Sequence, residues 1–389
     1  MNELKYSTQS IDDNDIKEVT KVLKSQYLTQ GPVTTEFEKE LCKFTGGKYC
    51  SVVNSASSAL YLACNALNIN EGEIFWTVPN SFVATANCGI LNNLKIDFVD
   101  IDQNTYNICI DSLIKKLEIA KKKKKLPKLI IIVHLAGYPC DLKKINYLSK
   151  KYNFKLIEDA SHAIGSKYFN NYIGSSKWSD VTVFSFHPVK IITTGEGGAC
   201  VTNNKSIYNR IELVKNNGIT KNLKNFKFKN KGPWYYEQHV IGFNFRMNEI
   251  QASLGLSQLK KVSKFVKKRN VIAKIYIKNL SKIPISFQEV KKNFYSSYHL
   301  FVIKLNLDKK KLHKKLFTYL RNNKIFVNLH YLPIHLQPYY RKLGFKEKNY
   351  AVSENYSQTA ISIPIYPNLK LKDQNKVIKL IKNFFIKND

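Results

Sequence analysis

Short apolar runs alternate with longer amphipathic segments along the first two thirds of the chain. The runs are rich in β-branched residues, as in "YCSVVN", "KLIIIVHLA" and "DVTVFSF". Segments such as "SSALYLACNAL" and "CDLKKINYLSKKY" follow several of them with helical spacing of apolar residues. Alternation of strand, helix and strand is typical of a mostly parallel sheet covered on both faces. We therefore predict an α/β domain.

The pattern changes after a long helical stretch, "NEIQASLGLSQLKKVSKFVKKRNVIAKIY", which begins at Asn248. Beyond it, "SSYHLFVIKL", "KKLFTYLRNNKI" and the closing helical segment "KDQNKVIKLIKNFF" indicate a smaller α+β unit. We place the boundary near residue 258. The prediction is a large domain over residues 1–257, with an N-terminal arm, and a small C-terminal α+β domain over residues 258–389.

The chain of 389 residues has a formal net charge of +33 at pH 7. Such a charge is typical of proteins that bind nucleic acids or anionic membranes. Lysine and arginine are nevertheless spread from end to end, and the densest run, "KKKKK" at 121–125, favours a solvated loop. A basic nucleic-acid-binding protein is kept as the alternative class. In an enzyme, the charge would favour capture of a small polyanion such as a nucleotide diphosphate.

Seven cysteines are far apart and never form a CxxC pair. Neither a disulfide framework nor a metal site is therefore expected. The N-terminal segment has no apolar run of the signal-peptide kind, and no stretch has the length of a membrane span. These features predict a soluble protein of the reducing cytoplasm.

One lysine stands alone in an apolar run, "SFHPVKIITTGEGGAC", which spans residues 185–200. Between Lys177 and Lys205, Lys190 is the only basic side chain besides His187, for which packing in the interior is the favoured interpretation. Burial lowers the pKa of a lysine and makes a neutral amine available. The isolation of Lys190 therefore predicts a nucleophile or a carrier of protons.

Other chemically distinctive residues follow predicted strands, where open α/β sheets bind their ligands. "KLIEDASHAIG" places Asp159 at a strand end, and "NSASSALYL" places Ser57 and Ser58 at the start of a helix, a position that binds phosphate. "PNSFVATAN" adds Phe82. Each signal alone is weak, because such an aspartate is commonly a cap, such serines commonly begin helices and a phenylalanine is commonly in the core.

Together these residues match what pyridoxal 5′-phosphate requires. The cofactor needs a lysine for covalent attachment, a carboxylate facing its pyridine nitrogen, a cradle for its phosphate and an aromatic face. Ser185 could donate its hydroxyl to the same phosphate. The sequence has neither a GxGxxG after a strand nor a GxxxxGK[ST], so dinucleotide binding and nucleotide hydrolysis lack their signatures.

These motifs resemble the DegT/DnrJ/EryC1/StrS family of sugar-nucleotide aminotransferases. The resemblance covers nearly the whole chain, from "LTQGPVTTEFEKEL" through "EDASHAIG", "FSFHPVKIITTGEGGA" and "GFNFRMNEIQASLGLSQL" to "HYLPIHLQPYY" and "IPIYPNL". It implies the aspartate aminotransferase-like fold, fold type I of the pyridoxal-phosphate-dependent transferases. It also implies pyridoxal 5′-phosphate as cofactor, pyridoxamine phosphate as its intermediate form, and a homodimer with shared active sites.

The resemblance also implies roles for individual residues. Lys190 stands where the family has its Schiff-base lysine, and His162 where many relatives carry glutamine near the cofactor's 3-hydroxyl. Asn244 and Arg246 lie on a loop that in relatives reaches the cofactor of the neighbouring subunit. The expected cofactor-binding residues are Ser57, Ser58, Phe82, Asp159, His162, Ser185, Asn244 and Arg246. The expected substrate contacts are Tyr6, Gln26, Tyr27, Leu28, Thr29, Ala56, Ser185, Asn244, Asn328, Leu329, His330 and Tyr331.

Some relatives carry histidine in place of the lysine and are dehydratases, so Lys190 favours transamination. Within the family, "GPWYYEQ" and "SSYHLFVI" are most similar to enzymes that aminate C4 of a UDP-linked 4-keto sugar in pseudaminic acid biosynthesis. The implied donor is L-glutamate, and the implied acceptor is UDP-2-acetamido-2,6-dideoxy-β-L-arabino-hexos-4-ulose. The alternative in the same class is a C4 or C3 aminotransferase of another nucleotide keto-sugar.

Overall fold

A computed structural model describes residues 3–229 and 231–388 of the chain. Many of its strands have only two residues, and the longer ones belong to a central sheet and to a smaller sheet near the C-terminus. The strands are β1 (Leu4–Lys5), β2 (Tyr49–Val53), β3 (Ile74–Thr77), β4 (Lys95–Phe98), β5 (Leu129–Val133), β6 (Lys155–Asp159), β7 (Lys167–Tyr168), β8 (Asn171–Tyr172), β9 (Val181–Ser185), β10 (Gly198–Thr202), β11 (Ile219–Thr220), β12 (Glu237–Gln238), β13 (Ile285–Phe287), β14 (Phe294–Tyr295), β15 (Phe301–Leu305), β16 (Ile325–Phe326) and β17 (Ala360–Ile363).

The α-helices connect the strands of the central sheet and cover the smaller one. They are α1 (Asp13–Leu23), α2 (Pro32–Thr45), α3 (Ala56–Ala66), α4 (Ala84–Ile90), α5 (Ile110–Lys122), α6 (Leu142–Tyr152), α7 (Lys205–Lys215), α8 (Glu249–Leu259), α9 (Val262–Leu280), α10 (His313–Asn322), α11 (Pro338–Lys342), α12 (Ala351–Ser357) and α13 (Leu371–Ile386). Among the described helices, none is both long and apolar enough to cross a membrane.

The central sheet has the strand order β2-β10-β9-β6-β5-β3-β4. Its neighbouring strands are parallel except where β10 pairs antiparallel with β2 and β9. The prediction of an α/β fold with a mostly parallel sheet is confirmed. Strands β6 and β9 are neighbours, and Asp159 pairs with Val183, two residues before Ser185. The register therefore brings the ends of the two strands that carry predicted site residues side by side.

Both faces of the central sheet are buried. On β5, Ile130 and Ile132 belong to one apolar cluster and Ile131 to another, and all three are fully buried. Successive side chains of a strand point to opposite faces, so the two clusters lie on opposite sides of the sheet. A continuous apolar run such as "LIIIV" is what a strand covered on both faces requires.

A smaller apolar cluster surrounds the antiparallel sheet β13-β15-β17, against which α9, α10 and α13 pack. Strand β1 joins this part of the molecule by pairing parallel with β16. Helix α9 contributes to two cores, because Val266 packs in a large-sheet cluster and Tyr276 in the small cluster. The domain boundary near residue 258 stays a prediction.

The long helical stretch near the predicted boundary is divided into two helices. Helix α8 ends at Leu259 and α9 begins at Val262, with no proline or glycine at the break. At the break, the ammonium group of Lys261 lies 2.5 Å from a carboxylate oxygen of Asp12 and 2.8 Å from one of Asp15. This contact ties the break to the start of α1. Lys261 and Asp12 are about 250 residues apart in sequence, so local periodicity does not reveal this contact.

Candidate active site

A cavity of about 560 Å³ opens beside the carboxyl ends of β5, β6 and β9. The first turn of α3, the segment after β16 and Tyr6 near the N-terminus complete its wall. It brings together predicted site residues from across the sequence, namely Tyr6, Ala56, Ser57, Phe82, Asp159, His162, Ser185, Lys190, Asn328, Leu329, His330 and Tyr331. Predicted residues that do not line it are Gln26, Tyr27, Leu28, Thr29, Ser58, Asn244 and Arg246.

Lys190 lines this cavity from the turn that follows β9. Its backbone N–H donates to the carbonyl of His187 over 2.9 Å, which closes the turn. Burial lowers the pKa of Lys190 to about 8, while the negative charge of Asp159 acts in the opposite direction. The side chain is therefore a neutral amine in about one tenth of the molecules at pH 7.

Asp159 ends β6 and is only 5% exposed. One carboxylate oxygen accepts a hydrogen bond from the hydroxyl of Thr85 at 2.6 Å. The other accepts from the backbone N–H of Ser161 at 3.1 Å and from its hydroxyl at 2.5 Å. Three donors hold a charged carboxylate in one orientation at the cavity wall, which suits it to face a protonated ring nitrogen.

The N-terminus of α3 forms another wall. The hydroxyl of Ser55 accepts a hydrogen bond from the backbone N–H of Ser58 at 3.1 Å, while Ala56 and Ser57 line the cavity. The first N–H groups of a helix have no partner within it and attract anions. A Cβ on Gly198 would lie 2.7 Å from the nitrogen of Ala56, so glycine is needed for β10 to approach this turn.

Ser58 is turned away from the cavity, although the sequence predicts it in the phosphate turn. Its hydroxyl donates to the side-chain oxygen of Asn54 at 2.7 Å, and the residue is buried. Position N3 of the helix, which Ser58 occupies, is satisfied by the Ser55 cap. Ser57, one position earlier, lines the cavity.

An exposed aromatic side chain, Phe82, lines the cavity next to Tyr331. Phe82 is 58% exposed, and its ring centroid lies 6.2 Å from that of Tyr331. An exposed phenylalanine at a cavity mouth is not a core residue, and it is suited to cover the face of a planar ring.

Three buried imidazoles surround the interior of the site. The rings of His162 and His299 lie 4.3 Å apart between centroids, and His330 packs 4.8 Å from Tyr6. Burial, together with the charge of Lys190, holds the pKa values of all three well below the ordinary value, to about 3 for His330. The three histidines are therefore neutral at physiological pH.

Several lining residues are absent from the sequence-based prediction: Ser55, Leu60, Ser81, Ala84, Thr85, Val133, Ser161, His187, Val189, Glu196 and His299. The expectation that His187 packs in the interior is wrong, because its side chain is 47% exposed and faces the cavity. His187 lies in the turn between β9 and Lys190, and this turn places its side chain on the outside of the sheet's core. Ser161 and Thr85 could have been found as hydroxyl residues beside Asp159 and Phe82 in motifs already identified.

The loop that carries Asn244 and Arg246 lies against the end of β2 in its own chain. The backbone N–H of Asn54 donates to the carbonyl of Phe245 at 2.9 Å, and the guanidinium of Arg246 donates to the side-chain oxygen of Asn216 at 2.5 Å. The expected contacts of Asn244 and Arg246 with a neighbouring subunit stay predictions, as do the substrate contacts of residues 26–29.

The geometry fits pyridoxal phosphate. Lys190 supplies a partly neutral amine, Asp159 a fixed carboxylate, and α3 a helix N-terminus close to the hydroxyls of Ser57 and Ser185. A single cavity at the strand ends of an open α/β sheet contains all of them. Fold and site together define a pyridoxal-phosphate-dependent aminotransferase of fold type I.

The sequence profile of the DegT/DnrJ/EryC1/StrS aminotransferase family matches residues 9–382. The chain belongs to this family. The expectation drawn from the motifs of the sequence is confirmed for the family, the fold and the cofactor.

Similar proteins match nearly the whole length of the chain. The UDP-4-amino-4,6-dideoxy-N-acetyl-beta-L-altrosamine transaminase of Campylobacter jejuni (serotype O:2) is 39% identical over 374 residues, which are 95% of this chain and 94% of that protein. The structure of Helicobacter pylori PseC, an aminotransferase involved in the biosynthesis of pseudaminic acid, superimposes with a TM-score of 0.91 at 32% identity and covers 99% of this chain and 100% of that one. The pyridoxamine-phosphate form of the sugar aminotransferase Spr1654 from Streptococcus pneumoniae gives a TM-score of 0.90 at 26% identity, over 99% and 98% of the two chains.

Proposed function

We propose that this aminotransferase transfers the amino group of L-glutamate to C4 of a UDP-linked 4-keto-6-deoxy-N-acetylhexosamine. The acceptor is UDP-2-acetamido-2,6-dideoxy-β-L-arabino-hexos-4-ulose, and the reaction is a step of pseudaminic acid biosynthesis. The observation that carries the proposal is the 39% identity to the C. jejuni transaminase over 95% of this chain. The fold similarity to H. pylori PseC supports it.

The residues of the cavity have distinct parts in this reaction. Bound pyridoxal phosphate supplies an electron-withdrawing ring that makes a neighbouring C–H bond acidic. Lys190 binds the cofactor through its neutral amine. Once released, the same amine acts as general base and general acid, and it carries the proton to and from the substrate carbon. Asp159 keeps the ring nitrogen protonated. The N-terminus of α3, with Ser57 and Ser185, binds the phosphate.

The remaining walls suit a nucleotide sugar. Tyr6, Asn328, Leu329 and His330 line the cavity from the N-terminal segment and from the segment after β16, whereas the cofactor residues come from the large sheet and its connections. We assign them to the sugar. The enzyme would act as a homodimer in which Asn244 and Arg246 serve the partner's cofactor, and in the cytoplasm, a location that its seven free cysteines support.

A substrate panel tests the proposal. Purified enzyme is loaded with pyridoxal phosphate and incubated with L-glutamate and UDP-linked 4-keto sugars of both C5 configurations, alongside dTDP- and GDP-linked 4-keto and 3-keto sugars. We expect one amino sugar, with nitrogen at C4 of the UDP-β-L-arabino ketone, identified by mass and NMR. Lys190→Ala enzyme is the matched control.

The panel also decides the alternative. Preference for another nucleotide or for a C3 ketone would replace this assignment with an aminotransferase of a different nucleotide keto-sugar. Replacing glutamate by other amino acids tests the donor in the same assay. Absence of amination with every sugar, in an enzyme that takes up the cofactor, would contradict the proposed function.

A further inference from the structure

We propose that the hydroxyl of Tyr331, oriented by His162, donates a hydrogen bond to the 3-oxygen of the bound cofactor. The proposal rests on the proposed function only in requiring pyridoxal phosphate in the cavity, and it is independent of the sugar. It makes Tyr331 a cofactor-contacting residue and His162 a positioning residue.

The protonation of His162 is fixed by its surroundings. The backbone N–H of Ala136 donates to Nδ1 of His162 over 3.2 Å, so Nδ1 carries no proton. Ala136 has a left-handed backbone with φ of 59°, and the adjacent Gly137 has φ of 92°, where a Cβ would lie 2.2 Å from the hydroxyl of Ser297. The turn after β5 is thus built in a conformation that aims this N–H at the imidazole.

With Nδ1 as acceptor, the proton of neutral His162 is on Nε2. Nε2 lies 3.2 Å from the hydroxyl oxygen of Tyr331, to which it donates. Burial and the charge of Lys190 keep the pKa of His162 well below its ordinary value, so the ring stays neutral. The ring of His299 packs 4.3 Å away between centroids and limits rotation of the imidazole.

The hydroxyl proton of Tyr331 is consequently available for a hydrogen bond to another acceptor. In residues 3–229 and 231–388, the hydroxyl oxygen has His162 as its one hydrogen-bond partner, and that bond uses it as an acceptor. The residue lines the cavity, and its backbone N–H is anchored to the side-chain oxygen of Asn80 at 2.9 Å. Burial and the charge of Asp159 raise its pKa, so Tyr331 keeps its proton and is a donor.

The chemistry of the cofactor indicates which of its atoms accepts. On the pyridine ring, the 3-oxygen lies between the nitrogen, which Asp159 would face, and the carbon that Lys190 would bind, while the phosphate arm is attached on the other side of that carbon. The charge of Lys190 acts on His162, and that of Asp159 acts on Tyr331. His162, Tyr331, Lys190 and Asp159 line one cavity, so the tyrosine hydroxyl lies beside the space that a ring held by Lys190 and Asp159 would occupy.

His162 cannot supply this hydrogen bond itself. Both of its ring nitrogens are engaged within the protein, one as acceptor from Ala136 and one as donor to Tyr331. The resemblance places His162 where many relatives carry a glutamine near the 3-hydroxyl. In this chain the tyrosine takes over that contact, and the histidine holds the tyrosine.

The test follows the pH dependence of the visible absorbance of the bound cofactor, in the absence of any sugar or amino donor. A donor to the 3-oxygen stabilises its negative charge, so loss of the donor makes the oxygen hold the proton it shares with the lysine nitrogen more tightly. The midpoint is the pH at which half of the absorbance change has occurred. We expect Tyr331→Phe to raise this midpoint by about 1 pH unit, which corresponds to a roughly tenfold higher affinity for the proton. Tyr147→Phe is the matched control, because it removes a tyrosine hydroxyl from an exposed position on α6 that does not line the cavity, and its midpoint should not move.

His162→Ala should raise the midpoint as well, and the double variant should shift no further than Tyr331→Phe alone, because the two side chains act through one hydrogen bond. Nitrogen NMR of the cofactor-free protein should show His162 unprotonated at Nδ1. An unchanged midpoint in Tyr331→Phe overturns the proposal, even if sugar binding weakens and so identifies the sugar as the acceptor. Additive shifts overturn it too. Neither outcome depends on which sugar the enzyme aminates.

Discussion

The pKa of about 8 for Lys190 predicts how fast the cofactor-free protein captures pyridoxal phosphate. Only the neutral amine attacks the aldehyde of the cofactor. At pH 7 a lysine with a pKa of 8 is neutral in about one tenth of the molecules, and one with the ordinary pKa of 10.5 in about 0.03%, a difference of roughly 300-fold. The capture rate should rise with pH and level off above about pH 8.

Asp159→Asn should shift the midpoint of the capture profile, which is the pH at which the capture rate is half of its maximum. The carboxylate stabilises the charged form of Lys190 and opposes the effect of burial, so its removal should lower the pKa of the lysine and move the capture profile to lower pH. Asp111→Asn is the matched control. That aspartate is exposed on α5 and does not line the cavity, so its variant should keep the wild-type midpoint.

Stopped-flow absorbance measures the capture rate directly. Cofactor-free protein is mixed with pyridoxal phosphate between about pH 6 and about pH 11, and Lys190→Ala serves as the blank that should give no visible band. The reasoning would be refuted if the wild-type protein, Asp159→Asn and Asp111→Asn all reached half of their maximal rate at a pH near the ordinary pKa of lysine. Lys190 would then be neither desolvated nor coupled to Asp159.

Three further predictions test the rest of the site. Asp159→Asn should still bind cofactor but slow proton abstraction from glutamate by roughly 100-fold, about 2.7 kcal/mol of barrier, in single-turnover absorbance; an unchanged rate would leave Asp159 a turn-forming residue. Ser57→Val should weaken cofactor binding about tenfold in equilibrium titration with unchanged circular dichroism, and unaltered affinity would exclude Ser57 from the phosphate site. Co-expression of Lys190→Ala with Asn244→Ala/Arg246→Ala should restore activity through one composite site, whereas assembled but inactive heterodimers would place the loop in its own subunit.

Much of the fold was predictable because its signals are local. Fully buried strands appear as apolar runs, and helices follow them with their own period, so the sheet and its strand ends could be placed. Asp159 stood out as a carboxylate at a strand end, and Lys190 stood out as a lone lysine in an apolar run. Ser185 and Ser57 followed from the same edge of the sheet.

Other features depend on contacts that no window of sequence contains. His162 and Tyr331 are 169 residues apart, and the ring nitrogen that touches the tyrosine is decided by the backbone of Ala136. The outward position of His187 depends on how the chain turns after β9. The expectation that His187 packs in the interior was wrong, because its side chain is 47% exposed.

The electrostatics of the cavity favour the proposed homodimer. Pyridoxal phosphate and a nucleotide diphosphate are both polyanions, yet among the described residues that line the cavity Lys190 is the only lysine or arginine, and the three buried histidines are neutral. Lys190 would no longer supply a free ammonium group once it holds the cofactor. A buried phosphate charge needs hydrogen bonds or an opposite charge. One helix N-terminus supplies hydrogen bonds but little positive charge. A cation from a neighbouring chain, such as Arg246 of a second copy, would supply the missing charge.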